Sequence, residues 1–341
     1  MKNLIYSCVF YNKDYLNLLR LLVISYKLYG NPDENTEYLI ICNNEFEYKV
    51  CDIFKEVGMK CNIWCVNLNS MIEATYSRLM IFNYQNIDEY NKILYLDTDI
   101  IVSNNISNIL NIELDDKLYV LEEGNTYGLF WGSSLFKDVP NPRRTAFTSA
   151  ILLFKNISQI KQLFTDIICH IEEDISNKIK IKFFDQPYIV YHSVINKIYD
   201  NTKLKNVCVN RNCFGKILPY NNETICHFPG QPGYYEKKMA SMRNFLKNII
   251  FIFNRNEKIN MDICNFQDKK YIWNDMTIVF IKDNKIIVND EIDGNYEIVS
   301  ELLIRCFILD CLYLIKFDNN FNSFFSLEKK NNLGICHGVL N

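Results

Sequence analysis

Two aspartates lodged in an apolar run restrict this chain more than any other feature. Ile93, Leu94, Tyr95 and Leu96 have the pattern of a buried central strand. Asp97, Thr98 and Asp99 interrupt it, and Ile100, Ile101 and Val102 restore it. Burying two carboxylates without a partner is costly, so the run calls for a cation. In extended backbone, residues i and i+2 share a side. That predicts Asp97 and Asp99 converging on one divalent metal while Thr98 faces away. The plainer alternative is a surface turn with two solvated aspartates.

The surrounding pattern predicts where this run sits. Residues 4–10, 38–42 and 61–66 read as strands, and residues 14–29, 45–57 and 70–84 have helical spacing. Gly30 and Gly58 stop the first two helices. Strands follow at 118–122, 147–154 and 224–228. Helices follow to about 112, at 158–175 with Ser158 as N-cap, at 185–198 capped by Asp185 with Pro187 behind it, and at 239–253. Alternation of this kind predicts an α/β fold with a doubly wound, mostly parallel sheet. Ligands of such sheets lie beyond the carboxyl ends of the strands, which gathers Tyr11, Asn12 and Asp97 to Asp99 on one rim. Residues 124–144 lack a period and form a long loop, a kind of segment that is more often functional than idle.

The texture changes near residue 260. Short β-like runs at 273–283, 285–288, 296–299, 304–309, 312–317 and 324–327 are punctuated by Asp-Asn and Asp-Gly-Asn. They predict a small antiparallel accessory domain over 259–341, following a main domain over 1–258. A length of 341 residues accommodates both.

Net charge of −3 gives no footprint for nucleic acid. No apolar stretch reaches the roughly 18 residues that span a bilayer, and the N-terminal run is too short for a secretory signal. Thirteen cysteines, an odd count without a C-x-x-C, read as reduced thiols. The expectation is a soluble, cytoplasmic protein.

Of four histidines, His170 and His192 lie in helical patterns and read as structural, and His337 lies near a frayed end. His227 differs. It closes an apolar strand and precedes Phe228-Pro229-Gly230-Gln231-Pro232-Gly233, a loop whose backbone can approach an anion closely.

Together these segments resemble glycosyltransferase family 8, the glycogenin and lipopolysaccharide-galactosyltransferase group, with its GT-A fold. Ser77-Arg78-Leu79 resembles the arginine-bearing helix, Leu94-Tyr95-Leu96-Asp97-Thr98-Asp99 the L-Y-L-D-x-D strand, and Phe147 to Ile151 the F-N-S-G-V strand. Asp185-Gln186 matches the D-Q pair and His227 to Gly230 the H-F-x-G turn. The likeness covers roughly residues 4 to 245.

The resemblance implies a retaining, metal-dependent transferase moving a hexose or related sugar from a nucleotide sugar, UDP-linked by expectation. The acceptor would be a glycan, a lipid-linked sugar or a protein. Asp97, Asp99 and His227 would hold the divalent ion, with Mn²⁺ favoured over Mg²⁺ by the nitrogen ligand. Arg78 would pair with donor phosphate or sugar, and Tyr15 would stack on the base. Asp185 and Gln186 would line the sugar and acceptor side as catalytic residues. Cys8, Val9, Phe10, Asn12, Thr98 and Ser149 would complete the donor site, with Gly230, Gly233 and Lys238 from the histidine turn onward. This chain departs from the pattern in three places. Thr148 and Ala150 replace Asn and Gly, Pro-Trp is missing after the turn, and Gly233 stands where the family carries a diphosphate lysine. Lys237 or Lys238 would replace that lysine if the loop folds back.

Two other classes compete. A sugar-nucleotidyltransferase would open with a Gly-rich phosphate loop, yet no glycine precedes Gly30. A carbohydrate-binding protein with a degenerate transferase domain is the non-enzymatic alternative.

Overall fold

Strands β1 (Lys2–Val9), β2 (Thr36–Cys42), β3 (Asn62–Cys65) and β4 (Tyr90–Leu96) pair in parallel, in the order β3-β2-β1-β4. Their continuous apolar runs bury Leu4 to Tyr6, Leu39 to Ile41 and Ile93 to Leu96, as strands covered on both faces require. The computed structural model describes residues 2–68, 70–140, 144–211, 221–230, 235–255, 267–273, 276–281, 285–300, 303–308, 311–318, 323–326 and 336–340. Gly233 lies outside them.

The chain then leaves the main sheet through β5 (Ile100–Val102). It returns by β6 (Leu118–Asn125), β7 (Thr145–Lys155) and β8 (Tyr199–Asp200), completing the order β3-β2-β1-β4-β7-β6-β8. Only β7 opposes its neighbours β4 and β6, while β6 and β8 pair in parallel. The carboxyl ends of β1, β4 and β6 therefore share a rim with the start of β7. This is the mostly parallel, GT-A-like α/β architecture that the sequence predicts.

A second, three-stranded sheet sits at that rim. Strand β10 (Ile225–His227) pairs antiparallel with β5 and parallel with β9 (Cys208–Asn210). On β5, Val102 N–H donates to the buried Ser25 Oγ at the end of helix α1 (Asp14–Ser25), at 2.9 Å.

Helices α2 (Asn44–Glu56), α3 (Met71–Tyr76), α4 (Ser107–Leu110), α5 (Ser158–Ser176), α6 (Gln186–Ile195) and α7 (Tyr235–Arg255) fall near their predicted spans, with four corrections. Helix α1 stops at Ser25 and passes into a π-helical turn, Tyr26–Gly30, in which the Tyr26 ring lies 2.9 Å from where a Gly30 Cβ would stand. Residues 70–84 divide into α3 and a 3-10 helix, Ser77–Asn83. There Thr75 and Ser77 hydroxyls donate back to Ile72 and Ala74 carbonyls, in competition with the helical ladder. The cap position of α5 is Ile157, not Ser158. Most important, Asp97 to Asp99 are not extended: they form the turn between β4 and β5, which belong to different sheets.

The contacts divide the chain into two units: Met1–Asp52 with Lys60–Met242, and Ile53–Met59 with Arg243–Asn341. In the second, β11 (Lys270–Trp273), β12 (Met276–Ile281), β13 (Lys285–Val288), β14 (Glu291–Ser300), β15 (Leu303–Ile308), β16 (Cys311–Phe317), β17 (Ser323–Ser326) and β18 (Cys336–Leu340) form an antiparallel meander. Pairing of β11 with β18 closes it into a barrel. Alternate residues fill the interior, among them Tyr271, Trp273, Phe280, Phe317 and Phe324. Residue 337 belongs to β18 rather than to a frayed end.

Candidate active site

Local backbone explains why the two aspartates separate. Asp97 N–H donates to Ala150 O of β7 at 2.9 Å, and Thr98 N–H donates to Asp97 Oδ1 at 2.8 Å. One residue later the chain joins the second sheet, where Phe228 N–H donates to Asp99 O at 2.9 Å. Each carboxylate thus faces a different set of partners, and the same-face geometry of an extended strand is not realised. Thr98 is 1% exposed, and its Oγ1 has no hydrogen-bond partner among the described residues.

Arg78 organises the first set. Its guanidinium lies over the Tyr95 ring, 4.8 Å from the centroid. Nη1 donates to Ser149 O at 3.0 Å and reaches Asp97 Oδ2 at 3.5 Å. Nε donates to Thr75 O at 3.2 Å and lies 3.0 Å from Asp185 Oδ2. Asp185 occupies the cap position of α6 without capping it, because its side chain turns into the site. Its Oδ2 is buried without an aligned hydrogen bond. Burial outweighs the neighbouring Arg78 charge and pushes the Asp185 carboxyl up to about 6. Gln186 Oε1 accepts from Ser149 N and Oγ at 3.1 and 3.3 Å, which ties α6 to β7.

Asp99 centres the second set and is 7% exposed. Its Oδ2 pairs with Lys238 Nζ at 2.5 Å, and its Oδ1 faces His227 Nε2 at 3.5 Å. Burial alone would raise the Asp99 carboxyl. The Lys238 ammonium, and then the His227 ring when it carries both protons, overcome that and hold it well below the usual carboxylate range. His227 Nδ1 bonds to Asn210 Oδ1 at 2.7 Å; an amide oxygen only accepts, so Nδ1 carries a proton, and in the neutral ring Nε2 presents its lone pair. Lys238 reaches back from the first turns of α7 past Gly230, where a Cβ would come within 3.0 Å of Lys238 Cε. The chain therefore brings a lysine to this site from a position the family motif does not use.

Other predicted residues line the same rim. Cys8 is half-buried, and burial pushes its thiol up to about 12. Val9 and Phe10 are core residues whose backbone ends β1. Asn12 Oδ1 accepts from Asp14 N at 2.9 Å, opening α1. Tyr15 is 45% exposed; burial of its ring, then Asp97, raises its phenol. Tyr11 holds a left-handed φ of 56°, a conformation costing on the order of 1 kcal/mol in a non-glycine residue, and its hydroxyl donates to Leu68 O.

Sequence reasoning missed Glu123. It follows the apolar Leu118 to Leu121 at the same rim, bonds to Thr148, and lies within the fields of His227 and Asp99; burial raises its carboxyl. The signal was available, since Glu122-Glu123 closes an apolar strand just as the D-T-D does. His170 and His192 contact one another through ring nitrogens at 2.9 Å; burial, then His170, holds His192 down at about 4.

The donor set fits a divalent ion in part. Asp99 Oδ1 is a buried oxygen without a hydrogen-bond partner, and it faces an imidazole lone pair. Asp97 is turned to Arg78, and no three-ligand cluster of His, Cys, Asp or Glu occurs among the described residues. No helix among them is long and apolar enough to cross a membrane.

A comparison with curated protein sequences gives no match. Among solved structures, the bifunctional glycosyltransferase WbbM is similar at 12% identity and TM-score 0.49, over 73% of this chain and 51% of its own. GlyE of Streptococcus pneumoniae is similar at 14% identity and TM-score 0.43, over 73% and 64%. The galactosyltransferase LgtC, solved with donor and acceptor sugar analogs, is similar at 14% identity and TM-score 0.49, over 72% and 95%. This chain thus spans about half the length of WbbM and less than two thirds of GlyE. The model of glycosyl transferase family 8, whose members generally use a divalent metal, matches residues 12–252. The chain belongs to glycosyltransferase family 8.

Proposed function

We propose that this protein transfers a hexose or related sugar from a UDP-sugar to an acceptor, with retention and with a divalent ion, Mn²⁺ before Mg²⁺. The observation that carries the reading is the buried Asp99 carboxylate facing both the His227 lone pair and the Lys238 amine. Asp99 and His227, joined by Asp97, would hold the ion. Bound there, it would act as Lewis acid and orienter for the departing diphosphate. Lys238 supplies the positive charge that Gly233 lacks and is free to exchange its carboxylate partner for a phosphate oxygen. Arg78 fixes Asp97 and Asp185, while Asp185 and Gln186 border the sugar. Cys8, Val9, Phe10, Asn12 and Tyr15 offer the β1 end to the nucleotide. Residues 259–341 act as an accessory module, and the protein works in the cytoplasm.

The test is hydrolysis of UDP-glucose and UDP-galactose by the full chain, with Mn²⁺ or with EDTA. Turnover that requires Mn²⁺, and that Asp99→Ala lowers at least about 100-fold, supports the reading. Equal turnover in EDTA overturns the metal site. Binding of sugars without turnover of either donor would favour the non-enzymatic alternative.

A further inference from the structure

A pocket of about 520 Å³ opens at the β3 edge of the main sheet, against the segment that joins the 3-10 helix Ser77–Asn83 to β4. That is the size of a small-ligand site. Strands β2 and β1 separate β3 from β4. At ~4.8 Å per strand, the pocket stands about 14 Å to the side of the strand that leads into Asp97. None of its lining residues belongs to the candidate active site. Its wall is built of aromatic rings and amides. The Trp64 and Tyr84 rings lie 5.7 Å apart, tilted by 43°. The exposed Asn62, Asn83, Gln85 and Asn86 surround them. Among the described residues the wall holds no lysine, arginine, aspartate or glutamate.

These groups are held in place from behind. Tyr84 is rooted in the core, and Trp64 packs against the same core. Tyr84 N–H donates to Ile81 O and Ile87 N–H to Tyr84 O, both at 3.0 Å. Asn156 Nδ2 clamps the segment beyond, donating to Ile87 O and Tyr90 O at 2.8 and 3.1 Å. Asn62 shares a face of β3 with Trp64, two residues on, and its Nδ2 donates to Glu37 Oε2 at 2.9 Å. A carboxylate only accepts, so this bond sets the amide's orientation and leaves Asn62 Oδ1 as an acceptor. A wall fixed in advance lowers the ordering cost of binding.

We propose that this pocket is a second ligand site, apart from the candidate active site, and that it binds a neutral saccharide with one pyranose face against Trp64. One face of a pyranose presents C–H groups with partial positive charge, which the electron-rich face of an aromatic ring attracts. A hydroxyl donates and accepts at once, and a primary amide does the same, so a ring of amides suits a polyol. A nucleotide, a uronic acid or an acidic peptide would call for a cation, which the wall lacks. Rings tilted by 43° cannot sandwich a flat base between them. An extended peptide would add to the open edge of β3, but that strand is four residues long and offers a short template. The inference is independent of the transfer reading, because binding here needs neither donor nor metal.

The experiment titrates the full chain, in EDTA and without nucleotide, with maltose, cellobiose and lactose. Glucuronate, adenosine and an uncharged Thr/Val peptide form the comparison arms. Calorimetry gives the affinity, and the indole N–H signals of the three tryptophans give the place. At least one disaccharide is expected to bind and to move the Trp64 signal, identified by its loss in Trp64→Phe. Trp64→Ala should weaken binding about tenfold or more, while Trp64→Phe keeps it within about threefold, because an aromatic face remains. Asn62→Ala and Asn86→Ala should each weaken it about 2- to 10-fold. Asp99→Ala should leave it unchanged. The proposal is overturned if no disaccharide moves the Trp64 signal, or if the shift is confined to Trp131 or Trp273. It is equally overturned if only glucuronate, adenosine or the peptide moves Trp64, or if Asp99→Ala abolishes binding. Where Trp64→Ala does not fold, the exposed asparagines decide, and undiminished affinity in both of their alanine variants overturns it.

Discussion

Asp97 and Asp99 are separated by a single residue and belong to opposite kinds of electrostatic setting. Around Asp97 everything is fixed. Arg78 is a planar fork that cannot be deprotonated, it stacks on Tyr95, and two of its donors are committed to the backbone carbonyls of Thr75 and Ser149. Around Asp99 the cation is a point charge on a four-carbon stem, Lys238, whose side chain is 13% exposed. The first half is a scaffold that sets orientation, and the second is an exchangeable contact. On the proposed reading, a site that releases a diphosphate after every cycle would use both.

The comparison breaks first at Arg78. Arg78→Ala leaves Asp185 buried beside Asp97 with no counter-charge, and breaking a buried pair in this way should cost about 3–5 kcal/mol. Urea unfolding curves measure it, and Arg78→Lys should recover only part, because one ammonium cannot serve Asp185, Thr75 O and Ser149 O together. A loss under about 1 kcal/mol would mean that the first half is no scaffold.

Next comes the proton on Asp185. Its folded pKa of about 6 exceeds the unfolded value of roughly 3.9. A raised folded pKa contributes stability that is complete below about pH 4 and is lost as pH rises through 6. Asp185→Asn should abolish this slope, so that the wild type loses about 2–3 kcal/mol relative to the variant between pH 4 and pH 7. Parallel curves would show that Arg78, rather than burial, governs the carboxyl.

The smallest effect concerns the exchangeable half. Asn210→Ala removes the acceptor that fixes the His227 tautomer, and should weaken Mn²⁺ binding about 10- to 100-fold in calorimetric titration. Unchanged affinity would remove His227 from the proposed ligand set.

Periodicity made most of the first unit legible. The runs that end in Cys42 and Leu96 are continuous, so they read as buried strands, and the helices between them read from their apolar spacing. What failed to read was direction and reach. The pattern of residues 147–154 is that of any buried strand and says nothing about β7 opposing β4 and β6. Asp97 and Asp99 were read as part of one strand, because apolar residues on both sides conceal a turn in which the chain changes sheets. Periodicity makes Asp185 a cap, and only its likeness to the D-Q pair assigns it to the site, since a sequence shows the position but not the rotation of a side chain. Lys238 was legible only as a conditional, because its contact with Asp99 spans 139 positions. In the second unit alternation revealed the strands, while closure through β11 and β18 has no local signature.

That closure has a kinetic consequence. A barrel has no edges only once its final strand is in place. Until β18 has emerged and paired, β11 and β17 each present an open row of backbone donors and acceptors, with Tyr271 and Phe324 on strands that are not yet closed. The pairing that completes the ladder is also its most non-local one, and such contacts form late. During synthesis this unit therefore passes through an interval in which it is a template for other strands. The hazard belongs to its assembly and vanishes from the finished fold.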